Sequence, residues 1–489
     1  MSRKLVLRIF AAFLAMGLIA SACGGRDDNA TDTATTTTTT TTAAPDDSPD
    51  PDEPADPDDP AEPDEPAEPD PCADVTLEAT EIGVSEDTIK VIVMADSENA
   101  LAAGLFEGAR VGAFAWAEDV NSRGGIGCRT VEIEFWDSML NPTETENGFL
   151  RACSEALALV GTTVLFGTST DDLETCDDAN GDPTGVPDLA YITTEVPHQC
   201  SSVSFHLSRP GAECPYESGD RNHTAVNGQV SWLAEHVGED LHGLFLVPGD
   251  LPSTTASAVP QLAAHAEAGI VYEKAYGISG AAPQASFTPY VQAIRENGSN
   301  FVYNGSNDAT MAKLMNEAND QGLDMSSVNW LCTLSCYTPA FLENGDVVEG
   351  TYLWTFFLPF EEADTNEELA RFLDAVGDDF PEAWAAGAWA AGILFEQAIN
   401  GIVETDGPNA ITRARLLEEL RSIDSFDVNG WWGTADFASS NTISECFMVM
   451  QIQDGEYVRV HPEERGTLDC DSSNVTAVTV DAGTFTPDS

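Results

Sequence analysis

Five apolar runs in this 489-residue chain stop abruptly in small polar side chains. "MADSENA" brings Asp96 and Ser97, "LFGTSTDD" brings Ser169 and Thr170, and "AYITTEVP" brings Thr193 and Thr194. Further along, "LVPGDLPST" carries Ser253 and Thr254, and "VYNGSNDA" carries Asn304, Ser306 and Asn307. Hydroxyls and amides donate and accept hydrogen bonds, and none of these has a base partner in the motif, so the chemistry they suit is holding rather than cleaving. Beside a glycine such as Gly167, with free backbone N–H groups where a helix begins, they would cradle a carboxylate or another polar group. A single Ser or Thr at such a place commonly does no more than cap its own helix, whereas five in one alternating pattern point to a cleft.

Other chemistry finds less support. The seven histidines form no HExxH pair and no GxSxG elbow occurs, so no catalytic residue is assigned. No CxxC pair exists, and "CTLSC" spaces its sulfurs by four, which argues against zinc. "DDANGDPTG" places Asp178, Asn180 and Asp182 as a calcium loop begins, but Pro183 stands where glycine is needed and Leu189 where the closing Glu belongs. That stretch reads as a solvated turn; neither a metal nor a cofactor is expected.

The polar tips need elements to hold them. Strand-like runs at 88 to 96, 130 to 137, 159 to 165 and 188 to 194 alternate with helical patterns. The helix "GLFEGARVGAFAWAEDVNSRGG" is expected to bury Phe106, Ala109, Val111, Ala113, Phe114 and Ala117 on one face and stops at Gly124 and Gly125. A second set of strands follows at 241 to 247, 268 to 277, 300 to 306 and 329 to 332. Such alternation implies parallel sheets covered by helices, and more than 400 residues exceed one core, so an α/β protein of two lobes is expected. The uncharged stretch 383 to 395 is too short to span a bilayer and reads as a core helix.

Ahead of the lobes, residues 1–22 have the layout of a secretory signal, and "ASAC" ending in Cys23 resembles a lipobox, which implies lipidation of Cys23. Residues 23–71, with a Thr run and the repeat "PDEPADPDDPAEPDEPAEPDP", cannot bury enough surface to fold and read as a disordered stalk. Its Pro-acid part would extend about 3 Å per residue, on the order of 80 Å in all. Sixteen of the 83 acidic residues lie in this stalk, so residues 72–489 carry 67 acidic against 16 basic residues, near −51. That excludes a nucleic-acid partner and disfavours an acidic one. Ten cysteines remain after Cys23, an even number in an exported chain, and should form five disulfides. The nearest neighbours suggest Cys128 with Cys153, Cys332 with Cys336, and Cys446 with Cys470.

The segment "GVSEDTIKVIVMADSENALAAGLFEGARVGAFAWAEDVNSRGGIGCRTVEIEFWDSMLNPTE", followed in order by "LVGTTVLFGTST", "VPDLAYITT", "FTPYVQAIRENGSNFVYNG" and "GWWGTADF", resembles the type 1 solute-binding proteins of ABC transporters, in the branched-chain amino-acid-binding branch. The resemblance covers residues 83 to about 460. It implies two Rossmann-like lobes of the type 1 periplasmic binding protein fold, joined by three crossovers: lobe 1 from 83–204 and 345–435, lobe 2 from 205–344 and 436–470, and a tail at 471–489. By this likeness Ser169, Thr170, Thr193 and Thr194 hold a ligand carboxylate from lobe 1, and Ser253, Ser306 and Asn307 add contacts from lobe 2; the strand ends add Asp96, Ser97 and Asn304, and Tyr337 is expected to line the pocket where the family pattern is departed from. The aromatic second-lobe contacts and the acidic partner of a ligand amine are replaced here, "CTLSCYT" filling the latter region, so the ligand need not be leucine-like. The function so implied is capture of a small polar solute, such as an amino acid, amide or related carboxylate, for permease subunits of an importer. The protein would lie on the outer face of the cell membrane, held through its lipid anchor alone. A ligand-sensing or adhesive surface lipoprotein with the same clamshell is the alternative.

Overall fold

The computed structural model describes residues 72, 75–98, 104–208, 211, 213–214, 219–249, 252–377, 381–438 and 443–481; the side chains at 252, 253, 255 and 256 fall outside it. Cys23, the signal at 1–22 and the stalk at 23–71 therefore lie outside the described residues. Within them, no helix is long and apolar enough to cross a membrane.

The first sheet is built from β1 (Thr88–Ala95), β2 (Thr130–Asp137), β3 (Ala158–Val164), β4 (Asp188–Thr193) and β5 (Ser204–His206). All pair in parallel, in the order β2-β1-β3-β4-β5. Between them run α1 (Glu107–Ser122), α2 (Pro142–Glu155) and the single turns α3 (Asp171–Glu174) and α4 (Val196–Gln199). Every residue of β3 is buried, as a parallel strand covered on both faces must be.

The chain then crosses to the second lobe. Its elements are β6 (Arg221–Val226), α5 (Gly228–Val237), β7 (His242–Pro248), α6 (Pro252–Glu267), β8 (Val271–Ile278), α7 (Thr288–Asn297), β9 (Phe301–Asn304), α8 (Asp308–Asp320), β10 (Asn329–Cys332), α9 (Pro339–Leu342) and β11 (Tyr352–Thr355). A second crossover returns it to lobe 1 for α10 (Glu367–Val376), α11 (Ala383–Asp406) and α12 (Arg413–Leu420). A third leads to β12 (Cys446–Gln453), β13 (Glu456–His461), β14 (Asp469–Cys470) and β15 (Val475–Val480). The second sheet has the order β13-β12-β11-β10-β9-β7-β8, with β14 beside β12; β12 runs antiparallel to β11, so the C-terminal hairpin closes one edge. β15 pairs antiparallel with β6 in a two-stranded ribbon.

Helix α11 is the core helix expected, buried along most of its length, with Trp389, Leu394 and Phe395 fully enclosed. It can lie this close because two glycines remove side chains at the contacts. A Cβ on Gly112 of α1 would sit 2.0 Å from the Ala385 carbonyl oxygen, and one on Gly387 would sit 2.1 Å from the Tyr191 ring. Arg413, fully buried at the head of α12, donates to the carbonyls of Ala152, Cys153, Ala156 and Asp177, tying α12 to the end of α2.

Several expected boundaries shift. β5 keeps residues to His206 in the first sheet, and β11 keeps residues to Thr355 in the second, so the return crossover falls after Thr355 and not at 345. Residues Val475–Val480, expected in a tail, form β15, because alternating Val and Thr find an open edge at β6. Five disulfides form, with Cys332–Cys336 and Cys446–Cys470 paired as expected. The pairing of Cys128 with Cys153 does not occur. Cys128, in the left-handed region at φ 64° in the turn before β2, joins Cys72, while Cys153 on α2 meets Cys176 just beyond α3; Cys200 joins Cys214. Cys153 thus takes a partner 23 residues away, nearer in sequence than Cys128, and only Cys128 pairs at long range, across a separation of 56.

Candidate functional site

The carboxyl ends of the strands in both sheets open on a shared cleft, as loops splay apart where parallel strands end. A central cavity of about 270 Å³ has walls from both lobes. Lobe 1 supplies Leu105, Phe106, Leu140, Leu165, Ile192 and Trp384, an apolar wall in which the Phe106 and Trp384 rings meet edge to face at 4.9 Å. Lobe 2 supplies Phe245 and a rim of hydrogen-bonding groups: Ser257 and Gln261 on α6, Ser306 and Asn307 after β9, and Thr333 and Ser335 after β10. The Cys332–Cys336 bond frames the last of these loops. Within it Thr333 and Ser335 hydroxyls lie 2.8 Å apart and Ser335 donates to the Ser306 carbonyl at 2.7 Å.

Two further compartments adjoin the central one. One, of about 250 Å³, shares Ile192, Thr194, Ser257 and Gln261 with it and extends toward the crossovers, where β6, Trp354 and Ile443 form its walls. The other, of about 300 Å³, shares Leu105, Asn307, Ser335 and Trp384 and carries Asp308 from lobe 2 and Glu382 from lobe 1. Burial, together with the negative charges of Asp308 and Glu107, raises Glu382 above the ordinary carboxylate range, so like charges from the two lobes oppose each other at this end.

The expected site residues divide into three groups. Thr194, Ser306 and Asn307 line the central cavity. Thr194 also donates to the Leu165 carbonyl at 2.8 Å, and Asn307 caps α8 by accepting from Thr310 N at 2.9 Å.

A second group works behind the wall. Asp96 is fully buried, and its carboxylate accepts from Ser138 Oγ at 2.6 Å, Leu140 N at 2.8 Å and Leu165 N at 2.8 Å. It thereby sets the loops after β2 and β3, which present Leu140 and Leu165 to the cavity. Asn304, also fully buried, bridges its own loop by donating to the Asn307 carbonyl and accepting from Ser306 N. Thr193 lines the compartment by the crossovers and shares a hydrogen bond with His206 Nδ1 at 3.2 Å.

The third group is spent elsewhere. Ser97 donates to Glu107 at 2.6 Å, Thr170 to Glu174 at 3.1 Å, and Ser169, half-buried, is absent from the cavity wall. The Tyr337 hydroxyl donates to Glu361 and accepts from Phe360 N, so the ring stacks on Phe360 behind the cleft instead of lining it. The Ser253 side chain lies outside the described residues.

The apolar wall was not anticipated. Trp384 belongs to "PEAWAAGAWAAG", which periodicity assigns to core, and Leu140 and Leu165 reach the cavity through backbone turns that periodicity does not report. Gln261, which donates to Tyr303 Oη at 2.6 Å, lies on α6 with no local signal; Ser335 could have been found, since "CTLSC" was already placed near the ligand.

Among solved structures, a fatty acid ABC transporter substrate-binding protein from Thermomonospora curvata is similar over 80% of this chain and 95% of its own, at 17% identity and a TM-score of 0.58. A leucine-binding protein from Thermotoga maritima is similar over 76% and 97%, at 14% identity and 0.56. A branched-chain amino acid ABC transporter structure from Thermus thermophilus with bound valine is similar over 79% and 98%, at 13% identity and 0.56. Among curated protein sequences none matches. The family model described as periplasmic binding protein matches residues 88–456. With the two sheets, three crossovers and shared cleft in place over that span, the chain belongs to the periplasmic binding protein family, in its type 1 fold.

Proposed function

We propose that this protein is the extracytoplasmic substrate-binding lipoprotein of an ABC importer, taking a small solute between its lobes and presenting it to permease subunits. The observation that carries this is the central cavity, walled by both lobes, with an apolar face on one side and hydroxyl and amide groups on the other. Such a cavity suits a molecule with a hydrocarbon part and a polar head better than the uniformly polar solute suggested by the strand-end residues. Thr194, Ser306 and Asn307 would touch the solute, while Asp96 and Asn304 hold the loops that do. The names of similar structures, which include a fatty acid and branched-chain amino acid receptors, agree with an amphipathic ligand. Anchoring would be through lipid on Cys23 and the stalk.

The test is extraction and mass spectrometry of whatever small molecule leaves the natively purified protein on unfolding, followed by its return to refolded protein. A bound amphipathic metabolite that raises Tm and shrinks the radius of gyration on rebinding is expected, since closure around ligand does both. A protein that purifies empty and shows neither response to amino acids or fatty acids would refute the reading.

A further inference from the structure

The compartment next to the crossovers holds a pair of groups that the binding reading leaves unused. Among its described wall residues the ionisable ones are Arg221 and His223, both basic, in a chain with 83 acidic and 20 basic residues. They stand two apart on β6 and so project from one face of that strand. His223 is 6% exposed, and neither of its ring nitrogens has a hydrogen-bond partner among the described residues. A buried imidazole in that condition has lost its water and gained nothing in return, which is uncommon unless an occupant supplies the bonds.

The wall shared through Ile192, Thr194, Ser257 and Gln261 makes this compartment continuous with the apolar central cavity. We propose that the crossover compartment receives the carboxylate of an amphipathic acid, facing His223 and Arg221, while the hydrocarbon part of the same molecule lies against Phe106, Phe245 and Trp384. This assignment rests on the reading that the cleft is the ligand site.

Proton linkage follows from the geometry. Burial, reinforced by the Arg221 charge, holds the empty His223 below its ordinary value, and hence neutral at neutral pH. A carboxylate beside it acts in the opposite direction and draws a proton onto the ring. Of the elements packed on β6, the segment at 211–214 brings one charge, Glu213, whose carboxylate accepts from Asn222 Nδ2 at 2.6 Å; β15 reads "VTAVTV", and α6 offers Ser257, Pro260 and Gln261 to this cavity, its His265 being engaged by Gln229 and Tyr272.

The experiment is calorimetric titration of the ligand-stripped full chain with decanoate and, separately, decanol. Decanoate is expected to bind, decanol at least about tenfold more weakly, and the decanoate affinity should rise between pH 8 and roughly pH 6 with proton uptake. His223→Leu should weaken decanoate about tenfold or more and leave decanol unchanged, with His223→Gln recovering part of the loss. Equal affinity for acid and alcohol in the wild-type chain, no decanoate binding at all, or an unchanged decanoate affinity in His223→Leu would overturn the proposal. If His223→Leu does not fold, His223→Gln and the acid-to-alcohol ratio decide.

Ser257→Trp separates this proposal from the reading beneath it, because it fills the shared wall from an exposed position. Decanoate binding that survives Ser257→Trp refutes the cleft as the site. Binding lost there but indifferent to His223 refutes the acid pocket alone.

Discussion

The segment that follows β11 into the second crossover is tied to β13 by an ion pair whose removal should be costly. Arg459 on β13 and Glu362 in the 3₁₀ segment Phe360–Thr365 meet through two contacts, Nε to Oε1 at 2.5 Å and Nη2 to Oε2 at 2.7 Å, with side chains 6% and 4% exposed. Glu362 also accepts from Gly466 N at 2.8 Å, and Arg459 Nη1 donates to the carbonyls of Pro462 and Thr467. Arg459→Met leaves the buried Glu362 carboxylate only the Gly466 N–H and the Arg465 guanidinium 4.0 Å away, and deprives two carbonyls of a donor. A broken buried pair costs about 3–5 kcal/mol, and this geometry places the variant in that range. Replacing both residues, Arg459→Met with Glu362→Met, removes the stranded charge and should cost far less than the two single losses together. The coupling from a double-mutant cycle is then at least about 2 kcal/mol. Urea unfolding followed by tryptophan fluorescence gives each ΔG from its midpoint and slope. A loss below about 1 kcal/mol for Arg459→Met, or a double variant as unstable as the summed singles, would show that the pair does not fasten this segment to β13 as argued.

Other consequences can be checked separately. His265, fully buried between Gln229 and Tyr272, has its pKa lowered to about 3 by burial, so the unfolded chain binds its proton first as pH falls. Stability should be at its full value above the unfolded pKa near 6.5 and fall as pH drops below it, by about 2 kcal/mol at pH 5; a His265→Gln variant with the same pH slope would contradict this. Gly112→Val should lower Tm sharply, since even a Cβ meets the Ala385 carbonyl oxygen at 2.0 Å, and a cost under about 1 kcal/mol would mean the helices can part freely. The Cys72–Cys128 bond closes a separation of 56 and Cys332–Cys336 one of 4, so chain entropy predicts losses of about 4 and about 2 kcal/mol for their paired Ser variants. The second pair should weaken ligand binding more than its small stability effect, and calorimetry with the recovered ligand measures this. Asp96→Ala leaves two N–H groups unpaired and should cost about 2–3 kcal/mol while loosening the Leu140 and Leu165 wall; unchanged stability by urea unfolding would refute its role.

The alternation of apolar strands and helices was legible from the chain, because short continuous apolar runs and a period near four report local burial directly. So was the opening of a cavity at the strand ends, since Thr194, Ser306 and Asn307 line it from loops that any parallel sheet opens on one side. Hydroxyl type alone could not separate these from Ser97 and Thr170, which bond to the carboxylates of Glu107 on α1 and Glu174 on α3. Capping and ligand binding require the same atoms, and the choice between them depends on loop direction.

Tertiary structure decided the character of the cleft. Trp384 lies in a helix that sequence assigns to a core, and together with Leu140 and Leu165, whose backbone N–H groups Asp96 holds, it lines the cavity between lobes. Arg221 and His223 share a cavity with Thr193 because the first crossover returns β6 against the ends of lobe 1. Cys72 reaches Cys128 across a separation of 56 for the same kind of reason. Periodicity encodes which residues leave water, a local property. Which of them meet across a cleft depends on long-range packing, and that is set by the whole chain at once.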